Sequence, residues 1–486
     1  MTKAESHCAI KYNNGLKIVA RVNVATILKG IFTLWITSVF ILSGYSIVLM
    51  TNEKEIYHIL DQSMFTAKPT FHDDHNFLPR VLAFVFPQFH PDPLNDRLWG
   101  KNFTDWQSLN NAPRANRLGY LIPRPTDLGF YDYRDVEPRR RQGELARQYS
   151  IDGFIFHHYW FYDPSHHGPN LHQPLVNMLT DNEPNIPFCL HWCNSKWIST
   201  WNGKVDANFT FQDPGVLQNQ YFPKDDSKKE ITQHYQWLQQ FFHHPNYIKV
   251  DGRPVFMLYQ KKPKSFKVLT MLNDMAKQDG FPDGLYYTVG LTKPHDHLMD
   301  IGDYNQYETK DRPKQKTNRA LRTYNFDKAL SYPNPAVWSE NRTLEIPSWC
   351  FEQSRTTQQS TQGGDKIKRQ QNRVPDIAGI ISSFDNTPRR TSEEAKLWSS
   401  RSPDAVLGTF RKSFHSALYY EACCFPHENE RRRKTKKEDD DRFIIINAMN
   451  EWAEGMALEP SDVYGHRFLK TIQETKQLVL KNGCNI

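Results

Sequence analysis

No Asp-x-Asp pair follows any of the short apolar runs of this 486-residue chain. The one dense run of aspartates, Asp439–Asp441, lies in a charged segment ahead of such a run. A cation held by paired carboxylates at a strand end, as metal-dependent nucleotide-sugar chemistry needs, is therefore not indicated. Cysteine is scarce, with seven in all; Cys189 and Cys193 flank His191 but have no second ligand pair nearby, so no zinc module is spelled out. We expect no metal and no cofactor. Basic charge is thin and scattered, at a net +7. Its two dense stretches are Pro138–Arg141 and Glu430–Asp441, and the second is backed by its own acids, so no nucleic-acid partner is expected. No internal repeat is found, which excludes a stacked-repeat architecture.

Long apolar runs are absent too, with one exception. Residues Gly30–Met50 carry no charge and, at about 1.5 Å per residue, reach roughly 30 Å as a helix, enough to span a bilayer core. Lys3, Lys11, Lys17, Arg21 and Lys29 precede this run against Glu5 alone, which places the N-terminal flank in the cytosol. A cleaved signal peptide would have a shorter apolar region and a far shorter lead. The expected layout is a cytosolic tail (1–29), a transmembrane signal-anchor (30–50), a stem (51–79) and a lumenal body (80–482), in type II orientation with a Golgi address. Three N-glycosylation sequons, at Asn102, Asn208 and Asn341, fit a secretory compartment. Six cysteines would be lumenal, where disulfides persist; their pairing is left open.

Within the body, seven short apolar runs recur: Val81–Phe86, Asp152–Trp160, Pro187–Trp192, Pro254–Tyr259, Leu285–Leu291, Ile377–Phe384 and Arg442–Ala448. Their length and unbroken apolarity suit strands buried on both faces of a parallel sheet. Amphipathic stretches between them, such as Arg139–Tyr149 and Thr232–Phe242, suit covering helices. The alternation predicts an α/β fold, a (β/α)8 TIM-type barrel with insertions, in which one strand remains to be found. Lys204–Lys229, Lys293–Arg342 and Arg355–Arg373 read as the insertions.

In such a barrel chemistry gathers at the C-terminal ends of the strands. The residues that follow the apolar runs are Gln88, Phe89 and His90; His157, His158, Tyr159 and Trp160; Trp192, Asn194, Trp197 and Trp201; Asp385, Asn386 and Arg389; and Asn450, Glu451, Trp452 and Glu454. Carboxylates, amides, imidazoles and indoles on one rim suit a glycan or polysaccharide, whose hydroxyls need polar partners and whose C–H faces stack on aromatic rings. The chain is rich in such rings, with 12 Trp, 22 Tyr and 30 Phe, most of which would fill the core. Glu451 and Glu454, three apart after the last run, would be neighbours on a helical turn and could work as an acid and base pair on a glycosidic bond. The plainer alternative is that both offset the dipole of a helix N-terminus.

Several motifs together carry a resemblance. Phe86–Trp106, which ends on the candidate Trp106, Gln142–Phe154, His244–Tyr259, Phe384–Arg390 and Asn447–Pro460 resemble the WbsX-type family over most of Leu82 to about Leu480. Its bacterial members occur among lipopolysaccharide and O-antigen biosynthesis proteins and are labelled glycosyltransferases. More distantly it is similar to the endo-α-mannosidases of glycoside hydrolase family ninety-nine. The resemblance implies a (β/α)8 barrel without a metal. It further implies that Glu451 draws a proton from the sugar's own 2-hydroxyl while Glu454 protonates the leaving group and later activates water. The chain departs from that pattern at Ala453, Ser195, Lys196 and Met449. Mannose- or rhamnose-type sugars are the expected substrates. Hydrolysis, sugar transfer and sugar binding without turnover all remain open, and the oligomeric state is not specified.

Overall fold

The computed structural model describes residues 78–198, 215–223, 228–260, 262–291, 328–331, 377–390, 395–397, 402–424 and 442–483. The expected tail, membrane anchor and all of the stem up to residue 77 lie outside these residues, as do Trp201, Asn208, Asn341 and the charged run before Asp441. Among the described residues no helix is long and apolar enough to cross a membrane.

The elements alternate. β1 (Arg80–Val85) leads through α1 (Pro93–Trp99), α2 (Asp105–Asn111) and α3 (Val136–Gln148) to β2 (Gly153–Asp163). β3 (His166–Asn170) folds back on β2, then α4 (Gln173–Asp181) precedes β4 (Phe188–Trp192). The two-stranded β5 (Trp197–Ile198) and β6 (Val216–Gln218) precede α5 (Lys228–Phe242), β7 (Lys249–Val250), β8 (Arg253–Leu258), α6 (Phe266–Gln278) and β9 (Tyr286–Leu291). β10 (Lys328–Ser331), β11 (Ala378–Ile381), α7 (Pro403–Tyr419) and β12 (Phe443–Asn447) follow. The short β13 (Asn450–Glu451) and β14 (Met456–Ala457) pair with each other, and α8 (Arg467–Asn482) closes the described chain.

Among the described residues the main sheet has ten strands: eight run parallel in the order β10-β9-β8-β4-β2-β1-β12-β11, with β3 antiparallel to β2 and β7 antiparallel to β8. Their buried faces explain the unbroken apolar runs: β4, β11 and β12 are buried at every position, β1 and β8 at all but the first. All seven strands expected from the sequence are present. The eighth, β10, lies inside Lys293–Arg342, a stretch expected to be an insertion. Its sequence, Lys328-Ala-Leu-Ser331, holds only two apolar residues between polar ends, so no apolar run marks it. Likewise Lys204–Lys229 contributes β6 and the start of α5. Between β10 and β11 no ladder is described, though their Cα atoms come within 8 Å.

The first and last strands of this sheet in chain order lie side by side, β1 pairing β12 from Arg80↔Phe443 to Ala83↔Ile446. Loops after β1, β11 and β12 therefore share one end of the sheet. On the other side of β1, β2 begins with Gly153, and a Cβ there would stand 2.6 Å from the Pro187 carbonyl oxygen and 3.0 Å from Leu82 Cδ2. Backbone cannot yield cheaply to such an atom, so Gly153→Val is expected to lower stability by about 2 kcal/mol or more. A fall in the thermal midpoint of the purified chain checks this; an unchanged midpoint contradicts the close approach of β2 to β4.

Candidate active site

Backbone hydrogen bonds tie three strand ends together. Beyond β12, Met449 N–H donates to Phe84 O at 2.8 Å, and the Asn450 side chain clamps Phe86 from both sides, accepting from its N–H at 2.8 Å and donating to its carbonyl at 3.0 Å. The loop after β11 turns at Asp385, whose carboxylate accepts from Thr387 N–H and Oγ1 at 2.9 and 2.6 Å. Asp385 N–H then donates to Glu454 O at 2.9 Å. Gly455 allows that approach: its φ is +68°, and a Cβ there would lie 2.9 Å from Asp385 N.

Arg389, at the end of this turn, is buried beneath the Glu451–Glu454 stretch. Its Nη2 donates to Glu451 Oε1 at 2.8 Å and to Asp105 Oδ2 at 2.9 Å; its Nη1 donates to Glu454 Oε1 at 2.6 Å. The Phe86 ring covers the guanidinium at 5.3 Å. Glu451 and Glu454 thus converge on one cation instead of capping a helix dipole. Glu451 stands in β13 and Glu454 at the end of a single 3-10 turn, Trp452–Glu454. The Glu451 side chain is 8% exposed and that of Glu454 28%, so Glu454 is the one facing outward. Burial raises the Glu451 carboxyl to about 8; Arg389 opposes the shift and the charges of Glu454 and Asp105 reinforce it.

Glu459, just beyond, fixes the stretch from behind. Its carboxylate accepts from Trp452 Nε1 at 2.7 Å, Gln142 Nε2 at 2.6 Å and the Tyr131 hydroxyl at 3.0 Å, all buried. Burial lifts this carboxyl to about 7.

The expected rim residues divide by the alternation of β2 and β4. Tyr159 and Trp197 line a cleft with Gln88, Asn95, Trp99 and Ile198. Their rings meet edge to face at 5.4 Å. Tyr159 is hydrogen-bonded to Cys193, and the Glu451 charge acts on Cys193, so this cleft adjoins the carboxylates. His158, Trp160 and Trp192 instead face α5. His158 Nε2 meets His234 Nε2 at 2.9 Å and its ring stacks on Trp237, while Trp160 stacks on His234 at 4.4 Å. Trp192 packs on His234 and Phe256. These three belong to the sheet–helix layer, because neighbours along a strand point to opposite sides. His90 is buried with Nδ1 on Pro87 O at 2.8 Å, and burial lowers it to about 4. Trp106 and Trp452 pack 6.2 Å apart in the core behind the carboxylates, and Trp106 Nε1 is held by Tyr131 O. Asn194 brackets the Gln260 backbone, and Asn386 accepts from Lys396 N–H. Asp385 also lines a second cleft with Tyr120, Ser383 and Tyr464. Ser195, one of the departures noted above, accepts from Lys262 Nζ at 2.9 Å.

In the sequence Arg389 stands on the rim with no marked partner, Cys193 stands out only for flanking His191, and nothing singles out Asp105, Tyr259 or Glu459. Tyr259, raised by burial to about 12, feels the charges of Cys193 and Glu454. Asp105 opens α2, where an acid is favoured by the helix dipole, and nothing in its local sequence marks it as a partner of Arg389.

A mostly parallel α/β body with an acid pair, one member buried and one half-buried, on a shared arginine at its strand ends is the class this chain defines. The family described as "Glycosyltransferase WbsX" matches residues 81–472, and the chain belongs to that family. It is 27% identical over 408 residues to the "Uncharacterized protein WxcX" of two strains of Xanthomonas campestris pv. campestris, covering 82% of this chain and 50% of the relative. The chain thus spans about half the length of the curated relatives it matches. Among solved structures it is similar to a "Glycoside hydrolase-like protein" (13% identity, TM-score 0.45, covering 85% of this chain and 98% of the other). It is also similar to the GH99 endo-alpha-mannosidase from Bacteroides thetaiotaomicron (13% identity, TM-score 0.43, covering 83% and 98%).

Two consequences can be measured. Glu459→Ala strands three buried donors and is expected to cost about 3 kcal/mol; an unchanged denaturation midpoint contradicts the anchoring role. Glu451 has a folded-state value raised above the unfolded one, so its contribution is full below about 4.5 and is lost as pH rises toward about 8. Glu451→Gln, which mimics the protonated group, should flatten the fall in thermal midpoint between pH 5 and about 8; an equal slope in both proteins contradicts the burial argument.

Proposed function

We propose that the chain is a carbohydrate-active enzyme that breaks or remakes glycosidic bonds of a mannose- or rhamnose-type glycan, on a (β/α)8 barrel closed between β10 and β11. The observation that carries this reading is the convergence of Glu451 and Glu454 on Arg389 beside the cleft lined by Tyr159 and Trp197. Glu451, the buried member with its raised proton affinity, takes the proton of the hydroxyl next to the anomeric carbon. That oxygen attacks the anomeric carbon while Glu454 gives its proton to the departing oxygen. The resulting strained ring opens when Glu454 draws a proton from the incoming acceptor and Glu451 returns its own to the sugar oxygen. Water as acceptor gives hydrolysis; a sugar hydroxyl gives transfer. Arg389 holds both carboxylates in place and balances the charge that moves between them.

A second reading is a sugar-binding barrel without turnover. The ion pairs from Arg389 to both glutamates favour it, since they occupy the groups that would exchange protons. For the whole chain we infer a single-pass type II membrane protein with residues 30–50 as anchor and its body in the secretory lumen, a Golgi enzyme. The charge asymmetry around the apolar run, the exposed Asn102 of the first sequon and the disulfide at Cys423 support this.

The test uses the full chain in detergent with α-mannan, rhamnan and high-mannose glycans, each with and without nucleotide sugars. Released oligosaccharide identifies hydrolysis, and acceptor extension identifies transfer. Glu451→Gln and Glu454→Gln should each lose turnover by about a thousandfold or more while still binding glycan. Because the base acts ionised, kcat/KM should rise with pH through about 8. Full activity in both variants overturns the reading, and binding without turnover in the wild type selects the second one.

A further inference from the structure

At the inner ends of β2 and β4 three donor atoms meet. His157 Nδ1 and His191 Nδ1 lie 2.9 Å apart, and Cys193 Sγ lies 3.4 Å from the first and 3.9 Å from the second. The rings are held by Phe84, which stacks on His157 at 5.1 Å and tilts against His191 at 5.0 Å. As a plain polar cluster the trio is poorly served. Two facing imidazole nitrogens share one proton at most, and the thiol is a weak donor.

We propose that His157, His191 and Cys193 form a zinc-class metal site next to Tyr159, a residue that lines the cleft, and within reach of the Glu451 charge. Zinc bonds of about 2.05 Å to nitrogen and about 2.3 Å to sulfur set tetrahedral edges of about 3.3 Å between nitrogens and about 3.6 Å from nitrogen to sulfur. The observed separations lie within about half an ångström of these, so side-chain rotation alone completes the geometry. Two imidazoles and one thiolate favour Zn2+ over Mg2+ or Ca2+, which take oxygen ligands. Burial keeps both imidazoles neutral, with lone pairs to give; His157 is pushed down to about 3. Burial also raises the Cys193 thiol, and bound cation would offset that by taking the thiolate and releasing its proton. Tyr159, bonded to Cys193 and lining the cleft, marks the side from which a fourth, exchangeable ligand would come: water or a sugar hydroxyl. The sequence hid this site because its ligands come from two strands, and the Cys-x-His-x-Cys run that flags it holds only two of the three.

The full-length protein, stripped with chelator and then exposed to Zn2+, should retain one equivalent after gel filtration. With Co2+ in its place it should show thiolate-to-cobalt charge-transfer absorption, which Cys193→Ser abolishes. His157→Ala should weaken Zn2+ affinity by about a hundredfold or more. Retention of less than a tenth of an equivalent by the wild type overturns the proposal without any need of the variants. So does equal uptake by wild type, Cys193→Ser and His157→Ala. Neither readout depends on sugar turnover, so failure here leaves the carboxylate reading standing, and the reverse.

Discussion

One buried guanidinium holds the functional end of this molecule together. Arg389 takes its three carboxylate partners from two other segments of the chain: Asp105 from the first helices, Glu451 and Glu454 from the turn after β12. A charge so deeply withdrawn from water is costly unless every donor is satisfied, and removal of one partner from such a cluster costs about 3–5 kcal/mol. The surrounding structure serves that requirement. Asn450 locks the β12 end to β1, Asp385 shapes the turn that delivers Arg389, and Glu459 braces Trp452 from behind. Three acids around one base leave an excess of negative charge, and burial together with that excess raises the proton affinity of Glu451. An acid pair with unequal exposure results from packing as much as from residue choice.

Strands and helices were legible because their signals are local. An apolar run buried on both faces leaves its mark on five or six consecutive residues, and seven of the eight strands carry it. β10 does not, having only Ala329 and Leu330 apolar within a polar stretch. The glutamate pair was legible from its place after the last strand and from family motifs. Its arginine was not, because the sequence shows a basic residue near other polar groups without saying which acids will meet it. The aromatic rim was legible only in part. In a strand flanked by core on both sides, His157 and His158 look alike, and nothing local says which faces the cleft. The register against β4 decides it, pairing His157 with His191 and His158 with Trp192. Trp106 and Trp452, expected at the sugar, belong instead to the apolar layer that keeps water from the carboxylates.

Chain order gives this arrangement a temporal consequence. Arg389 precedes Glu451 by 62 positions and Glu454 by 65, and follows Asp105 by 284. During synthesis the cation leaves the ribosome with a single acid available, and the neighbouring place of β1 in the sheet stays vacant until β12 is made. The Arg389 cluster on this design is therefore completed only once β12 and the turn after it are made, and a nascent body halted before β12 holds Arg389 on Asp105 alone beside an open edge of β1.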